Sequence, residues 1–166
     1  MVLRTKSLLL AIAIALTLWI SGGAVAVAKV DAYVTNYLRV RDPIELPWDA
    51  SDLVVSVTPE QLSEGKRFFE SNCINCHVGG ATLPNPTVTL SLDMLSGATP
   101  PRDTLASLMA FQRAPLVYDG SEESLECRRV SPRWLDDDQL LALEAFVLKA
   151  AQSAPGWGTN VMETGA

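Results

Sequence analysis

Apolar residues recur at three- and four-residue spacing in three stretches of this chain. The first runs through Leu62, Gly65, Phe69 and Cys73. It is preceded by Thr58 as an N-cap, Pro59 at the first helical position and Gln61 completing a capping box. The second follows Pro100-Pro101 through Leu105, Leu108, Met109 and Phe111, and ends before Pro115. The third starts at Asp136, with Gln139 three residues on, and carries Leu140, Leu143, Phe146, Val147 and Ala150. Leu135 stands just before it as a hydrophobic staple. Asp136 to Asp138 offset the dipole of the first turn, a commoner role for such acids than calcium binding. Gly65 is the exception to this pattern. In a helix interior it costs about 1 kcal/mol against alanine, which predicts the close approach of another helix.

The remaining segments carry less order. Residues 27–58 read as extended, with a small hairpin between Leu38-Arg39-Val40, Ile44-Glu45-Leu46 and the β-branched run Asp52 to Val57. Pro47 to Ser51 is the turn material. Val78 to Pro101 is rich in Gly, Pro, Thr and Ser and reads as a loop wrapped on something other than secondary structure of its own. Leu116 to Trp134 is irregular, and the Gly-rich tail past Pro155 reads as frayed. A few helices joined by such long loops make a poor core by themselves.

The missing core is suggested by one string, Cys73-Ile74-Asn75-Cys76-His77. Cys-x-x-Cys-His is the pattern of c-type haem attachment: two thiols bond to the haem vinyl groups and the imidazole takes one axial position on iron. A zinc site would need about four ligands, and no second pair exists. A thioredoxin-like redox pair would need a βαβ context, which is absent. One covalent haem c, buried against the loops, is therefore the expected cofactor.

The chain has 166 residues, which suits one domain. Arg4 and Lys6, the apolar run Leu8 to Ile20 and the small residues after it read as a secretory signal. Cleavage after Ala26 fits Ala24-Val25-Ala26, although Ala26-Val27-Ala28 also qualifies. The run is shorter than the roughly 18 residues of a membrane span. The expected division is a signal peptide over 1–26 and one haem domain over 27–166. Losing Arg4 and Lys6 with no acid takes the net charge from −6 to −8. Such a domain is unsuited to nucleic acid and to anionic membrane surfaces, and suits a partner with a basic patch. Two of the three cysteines are used by haem, so Cys127 is left over in an exported protein.

Several strings together resemble class I cytochromes c, and more narrowly the cytochrome c-550 family. They are Glu64 to Phe69, Cys76-His77-Val78-Gly79-Gly80, Asn85-Pro86, Ala98 to Asp103, Tyr118-Asp119-Gly120 and Gly156-Trp157-Gly158. The resemblance covers roughly residues 38–158. It implies a mainly α, class I cytochrome c-like fold with a small N-terminal hairpin, wrapped around one haem. It also implies a low-potential cytochrome of the cyanobacterial thylakoid lumen, the family being an extrinsic haem subunit of photosystem II. This chain departs from the family twice. The family has a second histidine as sixth ligand shortly after its Tyr-Asp-Gly, whereas His77 is the one histidine here. The family's tyrosine-containing tail is replaced by Thr159 to Ala166. The chain thus reads as a divergent paralogue.

The sixth ligand is open among Met94, Met109, Met162, Cys127, a lysine, water or nothing. In the family fold it comes from the loop before the last helix. Cys127 lies in that loop, close to where the family histidine would fall. Arg128 and Arg129 adjoin it, and nearby cations favour thiolate, the form that iron(III) haem accepts. Its other readings are a small buried hydrophobe or an intermolecular disulfide. The expected site residues are thus Cys73, Cys76, His77 and Cys127, with His77 and Cys127 on the iron. The expected role is electron transfer to a redox partner protein, not catalysis. The alternative is a structural extrinsic subunit at the lumenal face of photosystem II, peripheral to the membrane.

Overall fold

The computed structural model describes residues 29–159. The expected signal segment, and the tail residues 160–166 with Met162, lie outside the described residues. Chain order is α1 (Ala32–Asn36), β1 (Ile44–Pro47), β2 (Val54–Val57), α2 (Pro59–Asn72), a 3₁₀ turn (Val78–Gly80), α3 (Leu92–Gly97), α4 (Leu105–Arg113) and α5 (Asp137–Ser153).

The two long helices begin as the sequence predicts. The Thr58 side chain accepts from the Gln61 amide, and the Gln61 side chain accepts from the Thr58 amide. Asp136 and Gln139 repeat the same reciprocal pair at α5. The sequence reading overlooked a third capping box, Thr104 with Ser107, at α4. Helices α2 and α5 pack directly on each other. A Cβ on Gly65 would run into the Ala142 carbonyl oxygen and the Phe146 Cβ, so the crossing requires glycine. Beside it, Phe69 and Phe146 lie with ring centroids 5.6 Å apart, and Trp157 meets Phe146 edge-on at 5.8 Å.

The hairpin is antiparallel, with Ile44 opposite Val57 and Leu46 opposite Val55. Leu46 and Val57 turn inward to the core. Three local expectations need correction. Ala32–Asn36 is helical rather than extended: Asp31 caps it by accepting from the Tyr33 amide at 2.7 Å, and Val34 is fully buried. The Val78–Pro101 loop contains α3, capped by Ser91 and anchored by buried Leu95. The tail just past Pro155 is fixed rather than frayed. Trp157 Nε1 donates to the Leu90 carbonyl at 3.0 Å, and the Gly158 amide donates to the Gly79 carbonyl at 2.8 Å.

The segments Ala98–Asp103 and Tyr118–Gly120 form one unit. The Thr99 amide donates to the Tyr118 carbonyl at 2.9 Å, and Gly120, at φ +75°, sits hard against the Thr99 carbonyl. This unit and the Cys127 loop wall off the space beside α2 and α5.

Candidate haem site

Helix α2 delivers the attachment string. The Cys73 amide closes the helix onto the Phe69 carbonyl at 2.8 Å, and the amides of Cys76 and His77 both donate to the Cys73 carbonyl at 3.0 Å. This tight continuation keeps both thiols and the imidazole on one stretch of chain. Cys73, Cys76, His77 and Cys127 all line a single cavity of about 530 Å³. That size is in the range of cofactor pockets. Phe69, Leu95, Leu108, Leu143 and Val147 give it apolar walls. The three thiols are free.

The imidazole of His77 is oriented by its own loop. Nδ1 is 3.1 Å from the Ala81 carbonyl oxygen, with Thr82 Oγ1 at 3.2 Å. A carbonyl can only accept, so Nδ1 carries the proton and Nε2 keeps its lone pair for a metal. Burial pushes the His77 pKa down, against the opposing pull of the Ala81 hydrogen bond. A neutral ring is the form a metal needs.

Cys127 sits in the loop between α4 and α5, half-buried, its amide donating to Ser124 Oγ at 3.2 Å. The loop is tied to α2: Trp134 Nε1 donates to Asn72 Oδ1 at 2.9 Å, one residue before Cys73. The cations act differently from the expectation. Arg128 stacks over Trp134, its guanidinium carbon 4.6 Å from the ring centroid. The cation whose charge reaches Cys127 is Arg102. Burial, reinforced by Glu144, outweighs it and pushes the Cys127 thiol up to about 11. Burial likewise raises Cys73 to about 12. Neither thiol is ionised by its surroundings at neutral pH. Deprotonation of Cys127 would have to accompany metal binding, as it does for thiolate ligands in general. Of the methionines weighed as ligands, Met94 also lines the cavity, and Met109 packs against the core.

Two residues in this cavity escaped the sequence reading. Arg102 is buried, its Nη2 donating to the Leu116 and Val117 carbonyls at 3.0 and 2.8 Å, with Phe111 under its guanidinium at 4.1 Å. It makes no ion pair among the described residues. A buried cation needs a counter-charge, and a haem propionate would supply one here. Glu144 is fully enclosed on α5, with neither carboxyl oxygen hydrogen-bonded. Its signal was legible: it falls four residues after Leu140 and three before Val147, on the apolar stripe.

A covalent attachment string at the end of one helix, a second helix crossing it at a glycine, and a cavity with an imidazole on its wall define a class I cytochrome c. Residues 32–164 match the cytochrome c-550 domain, and the chain belongs to that family, whose cofactor is covalently bound haem c. It is 53% identical over 152 residues to a cytochrome c-550-like protein of Synechococcus sp. (strain JA-3-3Ab), covering 92% of this chain and 87% of that one. It is 51% identical over 138 residues to photosystem II extrinsic protein V of Gloeobacter violaceus (83% of this chain, 74% of that one). The crystal structure of the PsbV2 cytochrome from Thermosynechococcus elongatus superposes with a TM-score of 0.78 at 60% identity, covering 79% of this chain and all of that one. The expected mainly helical cytochrome c fold with a small hairpin is thus the fold observed.

Proposed function

We propose that this protein is a low-potential, single-haem electron carrier of the thylakoid lumen, with His77 and Cys127 as the axial ligands of the iron. The observation that carries the reading is that His77 and Cys127 line the same cavity as the attachment cysteines. Bound haem supplies a one-electron couple. Cys73 and Cys76 would hold its edge covalently. His77 offers Nε2 because Ala81 holds the proton on Nδ1. Cys127 would hold the iron as an anionic thiolate, a ligand type that would favour the ferric state and lower the potential. The apolar walls keep water from the iron. Were His77 and Cys127 both to hold the iron, no position would be left for a substrate, which favours a carrier over an enzyme.

An exported protein fits this role. Residues 1–26 are assigned as the signal peptide and 27–166 as the mature domain. No helix among the described residues is long and apolar enough to cross a membrane. The acidic mature charge suits a redox partner with a basic docking patch. The test is electron paramagnetic resonance and optical spectroscopy of the purified holoprotein beside Cys127→Ser. We expect a low-spin ferric signature of His/thiolate type that Cys127→Ser abolishes. A His/Met signature, a five-coordinate high-spin one, or a spectrum unchanged by the substitution refutes the ligand assignment.

The second reading is an extrinsic subunit on the lumenal face of photosystem II. It is favoured by the family match and by relatives named photosystem II extrinsic protein V. Copurification with photosystem II membranes at low salt, in stoichiometric amount, separates it from a free carrier.

A further inference from the structure

A short chain of side-chain contacts joins the two stretches that carry the proposed axial ligands. It starts at the end of α2. Asn72 is the residue before Cys73, and its Oδ1 accepts from Trp134 Nε1 at 2.9 Å. Its Nδ2 donates to the Phe68 carbonyl at 2.8 Å, one turn earlier. An indole N–H can only donate and a backbone carbonyl can only accept, so the two bonds fix which way the amide points. Asparagine serves both partners, whereas aspartate would set an anion against the Phe68 carbonyl. From Trp134 the contacts run on to Arg128, whose guanidinium carbon stands 4.6 Å from the ring centroid. Arg128 is the residue after Cys127. Asn72, Trp134 and Arg128 all line the haem cavity.

The other ties of this loop lead elsewhere. The Val130 amide donates to the Gln112 carbonyl at 2.8 Å. Arg113 Nη1 donates to the Val130 and Leu135 carbonyls, both at 3.0 Å. These bonds seat residues 130–135 on α4. The Cys127 amide is bonded only within its own loop, to Ser124 Oγ. Among the described residues, the one hydrogen bond from the loop to α2 is that of Trp134, which spans 62 positions of sequence. The attachment stretch and the Cys127 stretch are therefore registered to each other through Asn72, Trp134 and Arg128.

We propose that Trp134 is a positioning residue for the distal face of the haem: latched to Asn72 and stacked with Arg128, it holds the Cys127 loop to the end of α2. The proposal rests on the assignment of Cys127 as ligand. Its consequence is selectivity. A ligand loop held in place binds without a further ordering cost, and so competes better against small molecules from solvent. With the latch open, the loop withdraws more often and the distal position admits them.

The test is titration of the ferric holoprotein with imidazole, a neutral ligand of haem iron, beside its thermal midpoint. Trp134→Phe keeps a ring for Arg128 and removes the donor, and Asn72→Leu removes the acceptor. Each should raise the affinity for imidazole about tenfold, the order of one hydrogen bond lost with its partner left bare. The double variant should add little to either, because both remove the same bond. A lowered midpoint with wild-type imidazole affinity means that the pair only supports the fold, which overturns the proposal. Additive effects in the double variant overturn it too. Should these variants fail to accumulate, Arg128→Ala carries the test, since its side chain is exposed and the hydrogen bond stays in place. Loss of the stack should then raise the affinity about threefold, and an unchanged affinity overturns the proposal. Cys127→Ser is the separate control. If it leaves the ferric spectrum as in the wild type, the ligand assignment fails and takes this proposal with it. If it changes the spectrum while the Trp134 and Asn72 variants bind imidazole as the wild type does, only this proposal fails.

Discussion

The α2–α5 crossing and the wrap of residues 78–135 are built on different principles. The crossing is helix on helix, with capping boxes at both N-termini, one obligatory glycine and an aromatic cluster. Its order comes from side chains that bury one another. The wrap has only the short helices α3 and α4, and is held by single long-range bonds to carbonyl groups: Arg102 to Leu116 and Val117, Arg113 to Val130 and Leu135, Trp157 to Leu90. It packs toward a cavity rather than a self-made core. The lesson is a division of labour, in which the crossing presents the attachment cysteines and the wrap brings in the rest of the lining.

The largest expected effect breaks the crossing. Gly65→Val drives a branched side chain into the Ala142 carbonyl and the Phe146 Cβ. Overpacking against backbone should cost about 3–5 kcal/mol. Thermal denaturation of the holoprotein would show a fall of many degrees, and an unchanged midpoint would mean that the helices can separate freely. Next comes a break in the wrap. Arg102→Met removes the two carbonyl contacts and the buried cation, and should cost about 2–3 kcal/mol by denaturant titration. Haem should stay attached, since Cys73 and Cys76 are untouched. If Arg102→Met proves as costly as Gly65→Val, the two regions are not distinct in the way described.

The smallest effect, read per pH unit, is a slope. The folded pKa of Glu144, about 8, lies above its ordinary value of 4.5. The folded protein therefore holds a proton that the unfolded chain releases. Stability from this group is fully present below pH ~4.5, falls as pH rises toward 8, and then levels off. The slope cannot exceed about 1.4 kcal/mol per pH unit. Denaturant titrations between pH 5 and 8 should show a flatter profile for Glu144→Leu than for wild type. Identical slopes would remove Glu144 from the account.

Legibility follows the same division. The crossing could be read from sequence because its signals are local or periodic: Thr58 with Gln61, Asp136 with Gln139, Gly65 interrupting an apolar stripe. Helices α1 and α3 were missed because five or six residues show no periodicity. The fixed tail was missed because Trp157 and Gly158 find their partners far back in the chain, at Leu90 and Gly79. The haem string announced itself, since its chemistry is contiguous. Arg102 did not, because a buried arginine and an exposed one look alike until the chain is folded. Glu144 shares the apolar stripe of α5 with Leu140 and Val147, so its burial could have been read from its position alone.

The contact at Gly65 joins it to Ala142, 77 residues further along the chain. Closing a loop of that length carries an entropy cost that must be met before any packing is gained, and contacts so distant in sequence form late. The attachment string lies inside that loop, directly after the first of the two helices. Its two cysteines and histidine are a local unit that exists before the ends meet. Presenting the haem-binding thiols and docking the helices are thus separate requirements, since the first draws on one contiguous stretch and the second on residues 77 positions apart.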